Sequence, residues 1–221
     1  MNAPTLILPL RDGGVRNACR DANAVLWQAA AIVPGLELAE TGAPAARETH
    51  LHVLADCEGL GARFDCTDPH VWNNYEADQE PLYNAEVVEI FLDPHPGDLE
   101  YGEFQLSPNN HRFAVWVRNS GGPGWIPEVT GKLDCGALTT SVARTEYGWQ
   151  GLLFVPWSLL LKTAPPEPGD VWRANFYRID RLNGADGPGA EDEFSCWVPT
   201  RTRPAYFHRP RAFGVLKFEE S

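Results

Sequence analysis

The chain has 221 residues, 43% of them hydrophobic, with 8 Trp, 10 Phe and 6 Tyr, which suits one all-β domain over residues 1–221. Thirty acidic against eighteen basic side chains give a formal net charge of −12. With no local Lys/Arg stripe this excludes nucleic acid as the expected partner, and no window approaches the roughly 20 apolar residues of a membrane-spanning helix.

In chain order, Met1–Asn17 lacks the basic, apolar and small-residue succession of a secretory signal. The expectation is a cytoplasmic protein, or a secreted or periplasmic one if a leader was removed. Asn23–Ala31 is a short helix candidate. His50–Asp56 alternates, turns at Cys57-Glu58-Gly59 and returns as Leu60–Asp65, the pattern of a β-hairpin. Further strands are expected at Glu86–Leu92, Glu103–Leu106, Phe113–Arg118, Leu138–Arg144, Trp149–Val155, Trp172–Ile179 and Phe213–Phe218, with a helical turn at Pro156–Leu161. Asp93-Pro94, Pro108-Asn109-Asn110, Gly121-Gly122-Pro123 and Pro165-Pro166 punctuate them. Many short strands so spaced predict an all-β fold: a two-sheet antiparallel β-sandwich, jelly-roll or immunoglobulin-like, with few short helices.

Three long irregular segments, Thr67–Asn84, Asn119–Asp134 and Leu182–Pro210, are rich in aromatics, and loops of that length are the expected place for a site. Trp72 and Trp125 within them are candidate platforms for a ligand. Five cysteines without CxxC spacing suggest reduced thiols, although Cys57 and Cys66 could meet across the hairpin. His50 and His52 share a strand face but lack a third convergent metal ligand.

The stretch Glu86-Val87-Val88-Glu89-Ile90-Phe91-Leu92-Asp93 is the most informative. Strand alternation sends Val88, Ile90 and Leu92 to the core and Val87, Glu89, Phe91 and Asp93 to the other face. On the next strand Phe104 and Leu106 point inward, and Glu103, Gln105 and Ser107 point outward. If the two strands pair across Asp93–Glu100, the polar residues line one shallow groove suited to sugar hydroxyls. Alternatively Glu89 forms an ion pair with an arginine such as Arg178, because a lone buried carboxylate is costly.

The segment Tyr83-Asn84-Ala85-Glu86-Val87-Val88-Glu89-Ile90-Phe91-Leu92-Asp93-Pro94 resembles the signature of the family 9 carbohydrate-binding modules. So, in order, do Trp27-Gln28-Ala29-Ala30, Leu60–Asp68, Tyr101–Asn109, Val155-Pro156-Trp157, Trp172–Arg178 and Phe207–Gly214. The resemblance implies a β-sandwich that clamps terminal sugar units between two aromatic rings. It places Tyr83 as the first ring and Glu89 as a hydrogen-bonding partner of sugar hydroxyls. Trp197, before the last strand, is the choice for the second ring, with Glu103, Gln105, Trp72 and Arg178 as further contacts. The chain departs from the family at Glu103 and Gln105, where the best-known members carry Arg and Asn, and at Leu152, where a Glu is expected. Calcium occurs in the family, so a structural calcium stays open, but no Asp cluster marks one; no other cofactor is expected.

The expected function is non-catalytic carbohydrate binding, with a separately encoded glycan-active enzyme as a conceivable partner. One alternative is a glycoside hydrolase using Glu89 and Glu103 as paired carboxylates. No E-x-D-x-x-E strand, nucleophile elbow, P-loop or H-E-x-x-H helix supports an enzyme. Haem is not expected, because Met1 is the sole methionine. A repurposed protein-interaction domain is the other alternative.

Overall fold

Period-two alternation is realised as strands along most of the chain. The computed structural model describes residues 3–97, 99–121, 126–160, 163–182 and 192–221. Among the described residues run β1 (Thr5–Arg11), β2 (Ala31–Val33), β3 (Glu37–Leu38), β4 (Thr49–Asp56), β5 (Gly59–Thr67), β6 (Val87–Asp93) and β7 (Glu100–Leu106). The series continues with β8 (Arg112–Asn119), β9 (Pro127–Lys132), β10 (Thr139–Arg144), β11 (Gly148–Pro156), β12 (Val171–Asp180), β13 (Glu193–Cys196) and β14 (Gly214–Glu220). Among the described residues helix is limited to short turns, including Val25–Ala29 and Trp157–Leu159 inside the two segments expected to be helical.

The strands form two layers. One runs β10-β11-β5-β4, with β2 on the far part of β4; the other runs β14-β12-β6-β7-β8-β9, with β13 beside β12 and β3 beside β13. Strand β1 joins them, parallel to β14 from Thr5 to Leu10 and parallel to β4 at Leu10 and Arg11. These parallel pairings depart from the expected purely antiparallel arrangement, because the strands nearest the two chain ends run in the same direction. The layers share one core: Leu51 and Val53 of β4 and Phe64 of β5 belong to the same apolar cluster as Ile90, Phe104 and Phe176 of β6, β7 and β12. Trp157, Trp172 and Phe218 close one end of it with edge-to-face rings 5.2–6.0 Å apart.

The expected hairpin is β4–β5. Its turn is held by Asp56, whose carboxylate accepts from the backbone N–H of Glu58 at 2.9 Å and Gly59 at 3.1 Å. The β7–β8 turn uses Asn110 at φ 63°, a left-handed conformation that asparagine tolerates better than most residues. All five cysteines are free, with Cys57 exposed in the turn and Cys66 buried, so the hairpin holds no disulfide. His50 and His52 lie on β4, the first exposed and the second beside Asp65.

Every residue of β6 is buried, so the strand is covered on both faces. The inner face meets the shared core. The outer face meets a second cluster made by Val87, Phe91, Tyr101, Val115, Tyr177, Phe207 and Phe213. Segment 199–213 forms the cover. Phe207 stacks on Tyr177 with ring centroids 4.2 Å apart, and the Tyr177 hydroxyl donates to the Phe207 carbonyl at 3.0 Å. Asn119 donates from its amide to the His208 carbonyl at 2.9 Å. This cover is why a polar residue on the outer face of β6 is not simply at the surface.

Candidate functional site

Pairing register sets the floor of a cleft on the outer face of the second layer. Glu89, Gln105 and Phe113 stand opposite one another across β6, β7 and β8, and Phe91, Glu103 and Val115 form the next row. Where segment 199–213 does not cover them, a cleft of about 390 Å³ remains. Its polar lining comes from Glu89, Glu103, Gln105 and His208. Phe113, Val115, Val117, Pro127 and Val129 line one part, and Ile179, Phe194, Ala205 and Phe207 another. Tyr83 is 43% exposed and rests edge-on against Phe113 at 5.8 Å, and Tyr206 tilts against His208 at 5.4 Å. Two tyrosine rings from distant segments therefore border the carboxyl groups.

The two glutamates are buried close together. The Gln105 amide donates to Glu103 Oε1 at 2.6 Å, and His208 Nδ1 lies 4.0 Å from Glu103 Oε2 and 2.7 Å from the Tyr101 hydroxyl. Burial pushes the Glu103 carboxyl up to about 7, against the opposing pull of the Gln105 hydrogen bond. Burial, and then the nearby Glu103, hold Glu89 well above the usual carboxylate range. Burial also lowers His208 to about 4, so its imidazole is neutral at ordinary pH. Below about pH 7 the cleft thus gathers uncharged donors and acceptors on an apolar lining. Gln105 Oε1 is buried without a hydrogen-bond partner among the described residues, which leaves one acceptor for a ligand or a water to satisfy.

Of the residues expected at a site, Tyr83, Glu89, Glu103 and Gln105 are brought together in this cleft. Trp197 is not. It is only 9% exposed, packs against Phe176 at 5.8 Å in the core between the layers, and lies so close to Gly214 that a Cβ there would collide with its ring. The reason is strand parity: β13 pairs with β12 so that Cys196 faces the outer cluster, and Trp197 turns to the inner one. Trp72 lines a separate depression with Asp68, His70, Arg144 and Glu146. Trp125 lies outside the described residues.

Arg178 is also elsewhere, on the inner face of β12, and the expected alternative partner Glu89 does not pair with it. Its guanidinium meets Asp180 at 2.6 Å and Asp68 at 3.4 Å, and donates to Thr49 Oγ1 at 3.2 Å. Asp68, Glu86 and Asp180 bring carboxylate oxygens within 4.8 Å of one another, and among the described residues they are the group able to ligate a metal. Burial and Asp68 push Glu86 up to about 9, and burial outweighs Arg178 to raise Asp180 to about 6. The calcium left open by the sequence has its candidate ligands here, with the Arg178 charge already among them.

Tyr206 and His208 were not singled out from the sequence as contacts. Their one signal is the aromatic run Tyr206-Phe207-His208 in the last long irregular segment. Nothing in that run tells which ring turns inward.

No protein-family model matches the chain. An extracellular protein of Arthroderma benhamiae is 25% identical over 141 residues, which span 59% of this chain and 63% of the length of that relative. A Bacteroides uniformis protein, provisionally classed as carbohydrate-binding, has a similar solved structure with a TM-score of 0.77 at 14% identity, over 99% of this chain and 100% of that one. A family 9 carbohydrate-binding module of Caldicellulosiruptor kristjanssonii, in complex with cellotriose, has a TM-score of 0.65 at 13% identity, over 98% of this chain and 94% of that one. With glucose bound, such a module gives 0.64 at 13% identity, over 98% and 96%. At these identities the likeness is one of fold.

Proposed function

We propose that this chain, which has the sandwich fold of the family 9 carbohydrate-binding modules, holds a neutral sugar in the cleft and does not transform it. The observation that carries the reading is the grouping of Tyr83, Tyr206, Glu89, Glu103 and Gln105 around one opening. Tyrosine faces pack against the C–H surface of a pyranose, and carboxyl and amide groups exchange hydrogen bonds with its hydroxyls. Below about pH 7 a carboxyl pair that keeps its protons supplies donors as well as acceptors without presenting charge. A neutral polyol suits such a lining; a phosphorylated or anionic sugar would meet acidic groups and, among the described lining residues, no Lys or Arg.

In this reading Glu89 bonds hydroxyls from the floor, Tyr83 and Tyr206 take the two ring positions, and Trp197 supports the cleft from the core. Cellotriose and glucose are the ligands of the similar modules, so glucose and its β-linked oligomers are the first to try. A separately encoded enzyme acting on the same glycan is the proposed partner. The rival hydrolase reading draws on the adjacent buried carboxyls, one of which is already hydrogen-bonded by Gln105.

Isothermal titration against glucose, xylose, galactose, mannose, cellobiose and cellotriose tests the proposal, with product analysis of the same oligosaccharides. The expected result is saturable binding of at least one sugar, weakened tenfold or more in Tyr83→Ala and in Glu89→Gln, with no cleavage. Folded protein that gives no heat with any of them would overturn the binding reading. Released monosaccharide would overturn the non-catalytic part.

A further inference from the structure

The side chains of the cleft are sorted by strand. Glu89 stands on β6, and Glu103 and Gln105 stand on β7, while the cleft residues of β8 and β9 carry no side-chain donor or acceptor. Because the sheet runs β6-β7-β8-β9, this sorting is spatial. Across the ladder Gln105 opposes Phe113, Glu103 opposes Val115, and Val117 opposes Val129 toward the sheet edge. Val129 is 56% exposed, although it lines the same cleft as the buried carboxyl groups.

A bare sugar would satisfy the β6–β7 half and leave the outer part of this wall, Pro127 and Val129, wet, with Val115 and Val117 buried behind it. Polar groups that fix orientation beside an apolar surface that supplies affinity are the usual division of labour in a small-molecule site, and about 390 Å³ falls within the ~300–1,000 Å³ range of such sites. We propose, resting on the sugar reading above, that the cleft takes an amphipathic glycoside. Its sugar lies over Glu89, Glu103 and Gln105, and an aryl aglycone lies along Pro127 and Val129, which the buried Val117 backs. The wall offers aliphatic groups without charge, so the aglycone is neutral and apolar. A flat ring matches the pleated surface that two adjacent strands present.

The test is titration of the full chain with matched methyl and phenyl β-glycosides of glucose, xylose and galactose, and methyl and phenyl α-mannoside. For the sugar that binds, the phenyl glycoside is expected to bind at least tenfold tighter than the methyl one, which is about 1.4 kcal/mol. In Val129→Asp, a change at a half-exposed position of the edge strand whose folding is checked by circular dichroism, the phenyl-to-methyl ratio is expected to fall to about one. Equal affinities in the unaltered protein overturn this inference and leave the sugar reading intact. A phenyl preference that persists in Val129→Asp overturns the placement of the aglycone on β8 and β9. Folded protein that binds no member of any pair overturns both readings.

Discussion

Glu103 receives two opposed influences, and their balance decides what the cleft presents to a ligand. The Gln105 amide favours the ionised carboxylate, burial favours the neutral acid, and burial wins, moving the group from 4.5 to about 7. The folded chain therefore keeps a proton that the unfolded chain releases above about pH 4.5. Stability from this proton is fully present below pH 4.5 and is lost as pH climbs through about 7. At about 1.4 kcal/mol per pH unit, the loss is on the order of 3 kcal/mol as an upper bound. Thermal midpoints are expected to fall between pH 5 and pH 8, and Glu103→Gln is expected to flatten part of that slope. Glu86 and Glu89, also raised, retain the rest. An unchanged slope in the variant would mean that Glu103 ionises freely in the folded protein. A sugar that seals the cleft desolvates the pair further, so its affinity should fall across the same pH window in titrations at pH 5.5 and 8.

Four residues of β13 separate the expected from the observed role of Trp197. In an irregular loop a side chain has no parity, and a tryptophan beside a proposed sugar site reads as a platform. Next to paired Cys196, with its own N–H donating to the Phe176 carbonyl of β12 at 2.9 Å, the same residue faces the inner core. Trp197→Ala is expected to cost about 3–5 kcal/mol in urea denaturation, the usual range for emptying a large aromatic site, whereas a change within about 0.5 kcal/mol would return Trp197 to the surface. Strands with strong alternation were legible in the sequence. His50–Asp56, Leu60–Asp65, Glu86–Leu92 and Trp172–Ile179 each fall within or one residue outside the observed element. The face assignment of Glu89, Glu103 and Gln105 followed from alternation alone. What was not legible had no pattern to read: β9 is a largely exposed edge strand, β3 and β13 are very short, and β1 is an apolar run broken by Pro9. Tyr206 and His208 depend on how segment 199–213 folds back over the sheet, and that is a long-range fact. Arg178 shows the same limit, since its partners Asp68 and Asp180 meet only at the end of the sandwich.

At the scale of the molecule, the site depends on two layers being held as one body, and β1 pairs with a strand of each. It contributes six register pairs with β14 and two with β4, and Leu8 is buried in the core that the layers share. A change at Leu8 therefore reaches β5 and β7 through the same packed side chains, not through either ladder separately. Leu8→Ala is expected to cost about 2–5 kcal/mol, as for other buried leucines. The loss should appear as one cooperative transition. Amide hydrogen exchange can follow the layers independently, with Ala62 and Phe64 of β5 reporting one and Phe104 and Gln105 of β7 the other. If the core is common, protection at all four positions falls by a similar factor in Leu8→Ala. Protection lost in β7 but retained in β5 would show that the layers open separately and that β1 belongs energetically to the β14 side. The cleft, built wholly on the second layer and its cover, would then owe its stability to that layer alone.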